Sequence, residues 1–154
     1  MNIAIGSDHA GYRLKEHVKR VLADRGETVI DVGADSEEPS DYPDFAAAVA
    51  TAVAEGRADR GIMIGGSGVG ETIVCNKVAG IRAAPCHECY TAKFSRLHND
   101  ANVLCFGQRV TGPGQAEEIV RVWLDTPFSG EERHRRRIAK IADLERANPP
   151  ARTG

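Results

Sequence analysis

Short apolar, β-rich runs alternate with helical patterns along nearly all of this 154-residue chain, and that alternation limits the fold more than any other feature. Asn2 to Ile5 reads as a first strand ending at Gly6, and Leu14, Val18, Val21 and Leu22 then recur at helical spacing up to a stop at Gly26. Thr28 to Val32 is a second strand closed by Gly33, followed by a polar loop, ADSEEPSDYPD, and a helix from Phe45 to Ala54 stopped by Gly56. Gly61 to Ile64 is a third strand, which runs into GGSGVG and a helix to about Lys77. Ile81 to Pro85 and Val103 to Phe106 are a fourth and a fifth strand, with a helix from Tyr90 to Leu97 between them. Pro113 opens a further helix with Ile119, Val120, Trp123 and Leu124 on its apolar face. A basic helix from about Glu131 to Arg146 comes last, before a tail expected to fray from about residue 147 to 154.

Parallel neighbours need crossover connections, so five strands alternating with helices predict an α/β fold: one open parallel sheet, covered on both faces. The length suits a single domain, 1–154, and 42% hydrophobic with 27% charged residues is a globular balance. A net charge of −2 gives no overall field to recruit nucleic acid, so any anion site must be local. MNIAIGSDHAG carries neither a basic n-region nor an apolar h-region, and no apolar run approaches a bilayer span. Four cysteines, Cys75, Cys86, Cys89 and Cys105, suit reduced thiols; a cytoplasmic location is expected.

Ligands of such sheets bind outside the carboxyl ends of the strands, which directs attention to the strand exits. The third exit, Gly65-Gly66-Ser67-Gly68-Val69-Gly70-Glu71, has four glycines in six positions ahead of a helix. Its backbone N–H groups and the positive helix end can hold a phosphate or a developing oxyanion. It is neither a Walker A loop nor a dinucleotide fingerprint, and a plain tight turn also uses glycine. Glu71 lies in the first helical turn, either as dipole compensation or as a general base whose flanks, Val69 and Ile73, would desolvate it. Cys75, four residues on, is its competitor for the role of base.

At the first exit Asp8 and His9 stand side by side, as an N-cap or as ligand contacts. His98 closes the fourth helix, where it either satisfies carbonyls or moves protons. Arg133 and Arg137, at i and i+4 in a run with four arginines in five positions, share one helical face and could grip one phosphate; a solvated basic face has the same pattern. Cys86-His87-Glu88-Cys89 has the spacing and setting of a thioredoxin-like redox motif or half a metal site, the main rival of a different class.

Together, GSDHAGYRLK, SDYPDFA, GGSGVGETIVCNKVAGIRA, SRLHNDANVLCFGQRV and ERHRRRI resemble, in order and spacing, the type B ribose-5-phosphate isomerases, relatives of the galactose-6-phosphate isomerases. The resemblance implies a Rossmann-like fold, no metal or organic cofactor, and a homodimer with shared active sites, with a dimer of dimers also open. Many members carry a cysteine base where this chain has Gly65; the likeness is to the branch in which a glutamate, here Glu71, takes that role. By the same resemblance His98 assists ring opening. Asp8, His9, the loop Gly66, Ser67, Gly68, Val69 and Gly70, and Asn99 contact the sugar; Tyr42 lines the site, and Arg109, Arg133 and Arg137 hold the phosphate. The implied reaction interconverts ribose 5-phosphate and ribulose 5-phosphate through an enediol. A four-carbon substrate (erythrose 4-phosphate), a six-carbon one (allose or galactose 6-phosphate), or sugar-phosphate binding without turnover are the alternatives. Because His98 belongs to the amino edge of the sheet and Glu71 to the carboxyl edge, roughly 17 Å apart, the implied roles require His98 to come from a second subunit.

Overall fold

The computed structural model describes residues 1–148. Five strands, β1 (Asn2–Ser7), β2 (Thr28–Asp31), β3 (Arg60–Gly65), β4 (Ala83–Pro85) and β5 (Val103–Gly107), form a single sheet in the order β2-β1-β3-β5-β4. Every pairing is parallel. Six helices accompany them: α1 (Tyr12–Asp24), α2 (Tyr42–Ala54), α3 (Val69–Cys75), α4 (Cys89–Asn99), α5 (Pro113–Asp125) and α6 (Glu132–Ala147).

Side chains of a strand alternate between faces, and here both faces are buried. Ile3, Ile5, Ile62, Ile64, Leu104 and Phe106 point to one side, where they meet Leu14, Val18 and Leu22 of α1 and Ile119, Val120 and Trp123 of α5. Ala4, Met63, Val103 and Cys105 point to the other, against Ala46, Val49 and Ala50 of α2 and Cys75 of α3. Small residues on that second face let α2 approach the sheet closely. No helix among the described residues is long and apolar enough to cross a membrane.

The expected elements are all present, with shifted ends. A 3-10 turn, His9–Gly11, precedes α1. The helix expected from Phe45 starts at Tyr42, because Pro43, which lacks an N–H, fits the first turn, where none is needed. α3 stops at Cys75 rather than near Lys77, and β4 is reduced to Ala83–Pro85. α4 runs on to Asn99, so His98 and Asn99 belong to its last turn, and Asp100 ends it in a left-handed conformation (φ 46°). Ala147 and Asn148, expected in a frayed tail, complete α6 and its cap; the rest of that tail lies outside the described residues.

From β1 the chain crosses outward to β2 on one side, while β3 and its successors build the other side. The crevice between the carboxyl ends of β1 and β3 is therefore the topological switch point, where open α/β sheets hold ligands.

Candidate active site

Two loops meet in that crevice: residues 8–11 after β1, and Gly66–Gly68 between β3 and α3. Gly68 caps α3 with φ 82°, and a Cβ there would lie 2.8 Å from the Phe106 Cα, so both conformation and space demand glycine. An open cleft of about 520 Å³ results, lined by Asp8, His9, Tyr42, Gly66, Ser67, Val69, Gly70, Glu71 and Arg109, with Ala10 and Val110.

Glu71 sits in the first turn of α3 and is only 4% exposed. Its carboxyl group packs onto the backbone of Gly65: a Cβ at that position would lie 3.0 Å from Oε2 and closer still to Oε1 and Cδ. Burial pushes its pKa above the usual carboxylate range and nearby Asp8 adds to the rise, while the N–H groups of Glu71 and Gly68 oppose it. The expected flanks do not bury it, because Val69 and Ile73 are 57% and 56% exposed. Residues two positions away on a helix lie about 200° around it, so they face solvent when Glu71 faces the sheet. Cys75, one turn on, shares the buried face; it is fully buried and its Sγ lies 3.4 Å from the Ala46 carbonyl, away from the cleft lining.

Asp8 caps the turn after β1 and lines the cleft. Its Oδ1 accepts from the N–H groups of Ala10 (3.0 Å) and Gly11 (3.2 Å), while its Oδ2 lies 3.9 Å from His9 Nδ1 at the cleft wall. His9 Nδ1 lies 3.1 Å from the Ser40 N–H and 3.2 Å from the Ser40 carbonyl, so the backbone of Ser40 holds the ring at the cleft wall. The Tyr42 ring lies against Gly70, where a Cβ would come within 2.7 Å of Cζ, and the Arg109 guanidinium lies over Gly66. Among the described residues Arg109 makes no ion pair, so its charge is available to an anion.

Gly68 belongs to the loop without lining the cleft, since it turns toward β5. Four further expected residues do not join the cleft of this chain. His98 and Asn99 end α4 just before β5 begins, at the amino edge of the sheet, a five-residue strand away from the cleft, about 16 Å. The His98 ring stacks on buried His134 at 4.2 Å between centroids. Arg133 and Arg137 are exposed on α6, where Arg133 pairs with Glu131 at 2.8 Å.

The cysteine motif differs from a redox centre. Cys86, the residue that would attack, is fully buried, and burial raises its thiol pKa; Cys89 is exposed, and both are free thiols. Sequence reasoning gave no role to His87, whose Nε2 lies 2.8 Å from the Ser67 carbonyl, or to Ser40 beneath His9. Both contacts join loops far apart in sequence, so no local pattern announces them.

The family model for ribose/galactose isomerases matches residues 3–141 of the chain. Ribose-5-phosphate isomerase B of Escherichia coli (strain K12) is 50% identical over 143 residues, covering 93% of this chain and 95% of that protein. The D-erythrulose-4-phosphate isomerase of Pectobacterium atrosepticum is 46% identical over 132 residues, covering 84% of this chain and 86% of that protein. Among solved structures, the ribose-5-phosphate isomerase B of Clostridium thermocellum superposes with a TM-score of 0.94 at 50% identity, covering 96% of this chain and 99% of that one.

Proposed function

Since this chain belongs to the ribose/galactose isomerase family, we propose that its carboxyl-edge cleft interconverts ribose 5-phosphate and ribulose 5-phosphate, with Glu71 as the base. The observation that carries this reading is the Glu71 carboxyl: buried, held above the usual carboxylate range, and set beside a cradle of backbone N–H groups. A general base works best with a pKa near the working pH, which an exposed glutamate lacks. We read the whole chain as one isomerase domain acting in the cytoplasm.

The reaction follows from these groups. His98 helps open the furanose ring by moving a proton between the ring and anomeric oxygens. The Glu71 carboxylate removes the proton from C2, giving an enediolate; the proton on O2 passes to O1, and Glu71 returns its proton to C1, giving the ketose. N–H groups of the Gly66–Gly70 loop and the Ser67 hydroxyl stabilise the developing negative charge, each such donor being worth about 3–4 kcal/mol when deleted. Asp8 and Asn99 hold sugar hydroxyls and Tyr42 closes the wall. Arg109, Arg133, Arg137 and the His9 ring hold the phosphate, whose binding energy positions the reacting carbons. The scheme requires no metal or organic cofactor.

His98, Asn99, Arg133 and Arg137 act in this scheme from a second copy of the chain, and a twofold axis gives two composite sites per homodimer. Exposed Tyr42, Val69, Ile73 and Val110 around the cleft supply an apolar surface for that contact. Purified protein assayed for ketose formation against four-, five- and six-carbon aldose phosphates tests the reading. The account expects the highest kcat/KM with ribose 5-phosphate. Preference for the tetrose phosphate would instead align the chain with its Pectobacterium relative, and no turnover of any sugar phosphate would overturn it.

A further inference from the structure

The geometry points to His87 as a positioning residue for the Glu71 base, acting through the Ser67–Gly68 peptide; the inference rests on the reading of Glu71 as that base. Three consecutive carbonyls of the glycine cradle are held from outside. Gly65 O accepts from the Gln108 N–H (2.8 Å), Gly66 O from the Arg109 N–H (3.1 Å), and Ser67 O from the His87 ring at 2.8 Å. Only the third is held by a side chain. A carbonyl can only accept, so Nε2 carries the proton, and a doubly protonated ring would donate equally well.

In a trans peptide the C=O and the following N–H point in opposite directions. Drawing Ser67 O toward His87 therefore turns the Gly68 N–H the other way. Gly68 is the N-cap of α3 and Glu71 the third residue of its first turn, the position from which a glutamate reaches back to the cap N–H, and that N–H favours the charged carboxylate. Glycine at 68, with φ 82°, leaves this peptide easy to rotate without such an anchor. The backbone that carries His87 is anchored on both sides. Cys86 before it is buried, with Sγ 3.8 Å from Ser95 Oγ. Glu88 after it caps α4 by accepting from the N–H groups of Tyr90 (2.5 Å) and Thr91 (2.7 Å), and Gln115 donates to the His87 carbonyl at 2.6 Å. The Cys86-His87-Glu88-Cys89 segment thus reads as a buttress of the cradle. The charged and titratable groups around the pair are Asp8, His9, Tyr42 and Arg109 in the cleft with Glu71, Cys105 near it, and Glu88 beside His87.

The test compares His87→Phe, His87→Ala and His87→Gln with Glu71→Gln in steady-state turnover of ribose 5-phosphate across pH. Without the donor, kcat should fall roughly 10- to 100-fold while KM, set by the phosphate contacts, stays within about twofold. The acid limb of kcat/KM should move to higher pH, because the carboxylate loses an N–H that favours its charged form. Gln, which offers a similarly placed N–H, should recover most of the loss. Wild-type kcat and an unmoved acid limb in His87→Phe, beside an inactive Glu71→Gln, would overturn the inference alone, as would equal losses in Gln and Phe with unchanged melting. Full turnover by Glu71→Gln would remove the base reading and this inference with it.

Discussion

The carboxyl group of Glu71 fills the space in which a side chain at position 65 would begin, so Gly65 and Glu71 are one structural unit. A side chain on residue 65 and the Glu71 carboxyl in this seat exclude one another sterically. This gives a physical reason for the absence of a cysteine at the end of β3: any Cβ there would evict the carboxyl from its seat on the strand.

Gly65→Ala should therefore behave as a catalytic lesion. The added methyl group displaces the carboxyl, and misplacement of about 1 Å can cost on the order of 10²-fold in rate. We expect kcat for ribose 5-phosphate to drop by at least that factor with a smaller change in KM. Wild-type kcat in a folded Gly65→Ala protein would show that the carboxyl has no need of this seat.

Burial of Glu71 also links activity and stability to pH. The base works only when ionised, so kcat/KM should decline on the acid side about a pKa above the usual glutamate value of about 4.3. A raised pKa means that the folded protein holds this proton more tightly than the unfolded chain. Its stabilising contribution is present below the unfolded pKa and is lost as pH rises through the folded one. Glu71→Gln, which carries no charge to bury, should melt higher than wild type at pH 8, and the gap should narrow toward pH 4. An equal or lower melting temperature at pH 8 would contradict this.

Periodicity alone exposed the sheet, because buried strands read as apolar runs and glycine marked their exits. Ile3, Ile62 and Leu104 on one face and Ala4, Met63 and Val103 on the other follow directly from a period of two. The third strand exit was legible for a different reason, since glycine at that density exceeds what a turn needs. Helix ends were less legible: the start of α2 at Tyr42 depends on a proline tolerated in a first turn. The surroundings of Glu71 differ from the expected ones because neighbours in sequence are not neighbours in space on a helix: Val69 and Ile73 lie on the opposite side of α3. His87 and Ser40 take part in ring-to-backbone contacts across 20 and 31 residues of sequence, which carry no local signal.

Loss of a phosphate contact should separate from loss of chemistry. In the proposed site Arg137→Ala removes a charge-assisted donor to the phosphate, so KM for ribose 5-phosphate should rise about tenfold or more, with kcat falling less. Unphosphorylated ribose, a poor substrate for wild type, should respond much less to the same change. Equal losses on both sugars would mark Arg137 as part of a solvated helix face.

The proposed sharing of the site between two copies has its own signature. Glu71→Gln and His98→Asn homodimers should each be inactive, because every site lacks one proton-transfer group. After subunit exchange, a mixed dimer holds one site with both changes and one with neither, so activity should return partially. Proven exchange without recovery would show that Glu71 and His98 act within one chain or that one of them is dispensable.

The most direct measurement is kcat for ribose 5-phosphate in Glu71→Gln beside Cys75→Ala. Glutamine keeps the size and hydrogen bonding of glutamate but accepts no proton from C2, so its kcat should fall by roughly 10²–10⁴-fold. Cys75, fully buried and facing the Ala46 carbonyl, should be replaceable by alanine with kcat largely retained. Near-wild-type turnover by Glu71→Gln, with activity abolished in a folded Cys75→Ala, would contradict the account at its centre and pass the role of base to the thiol.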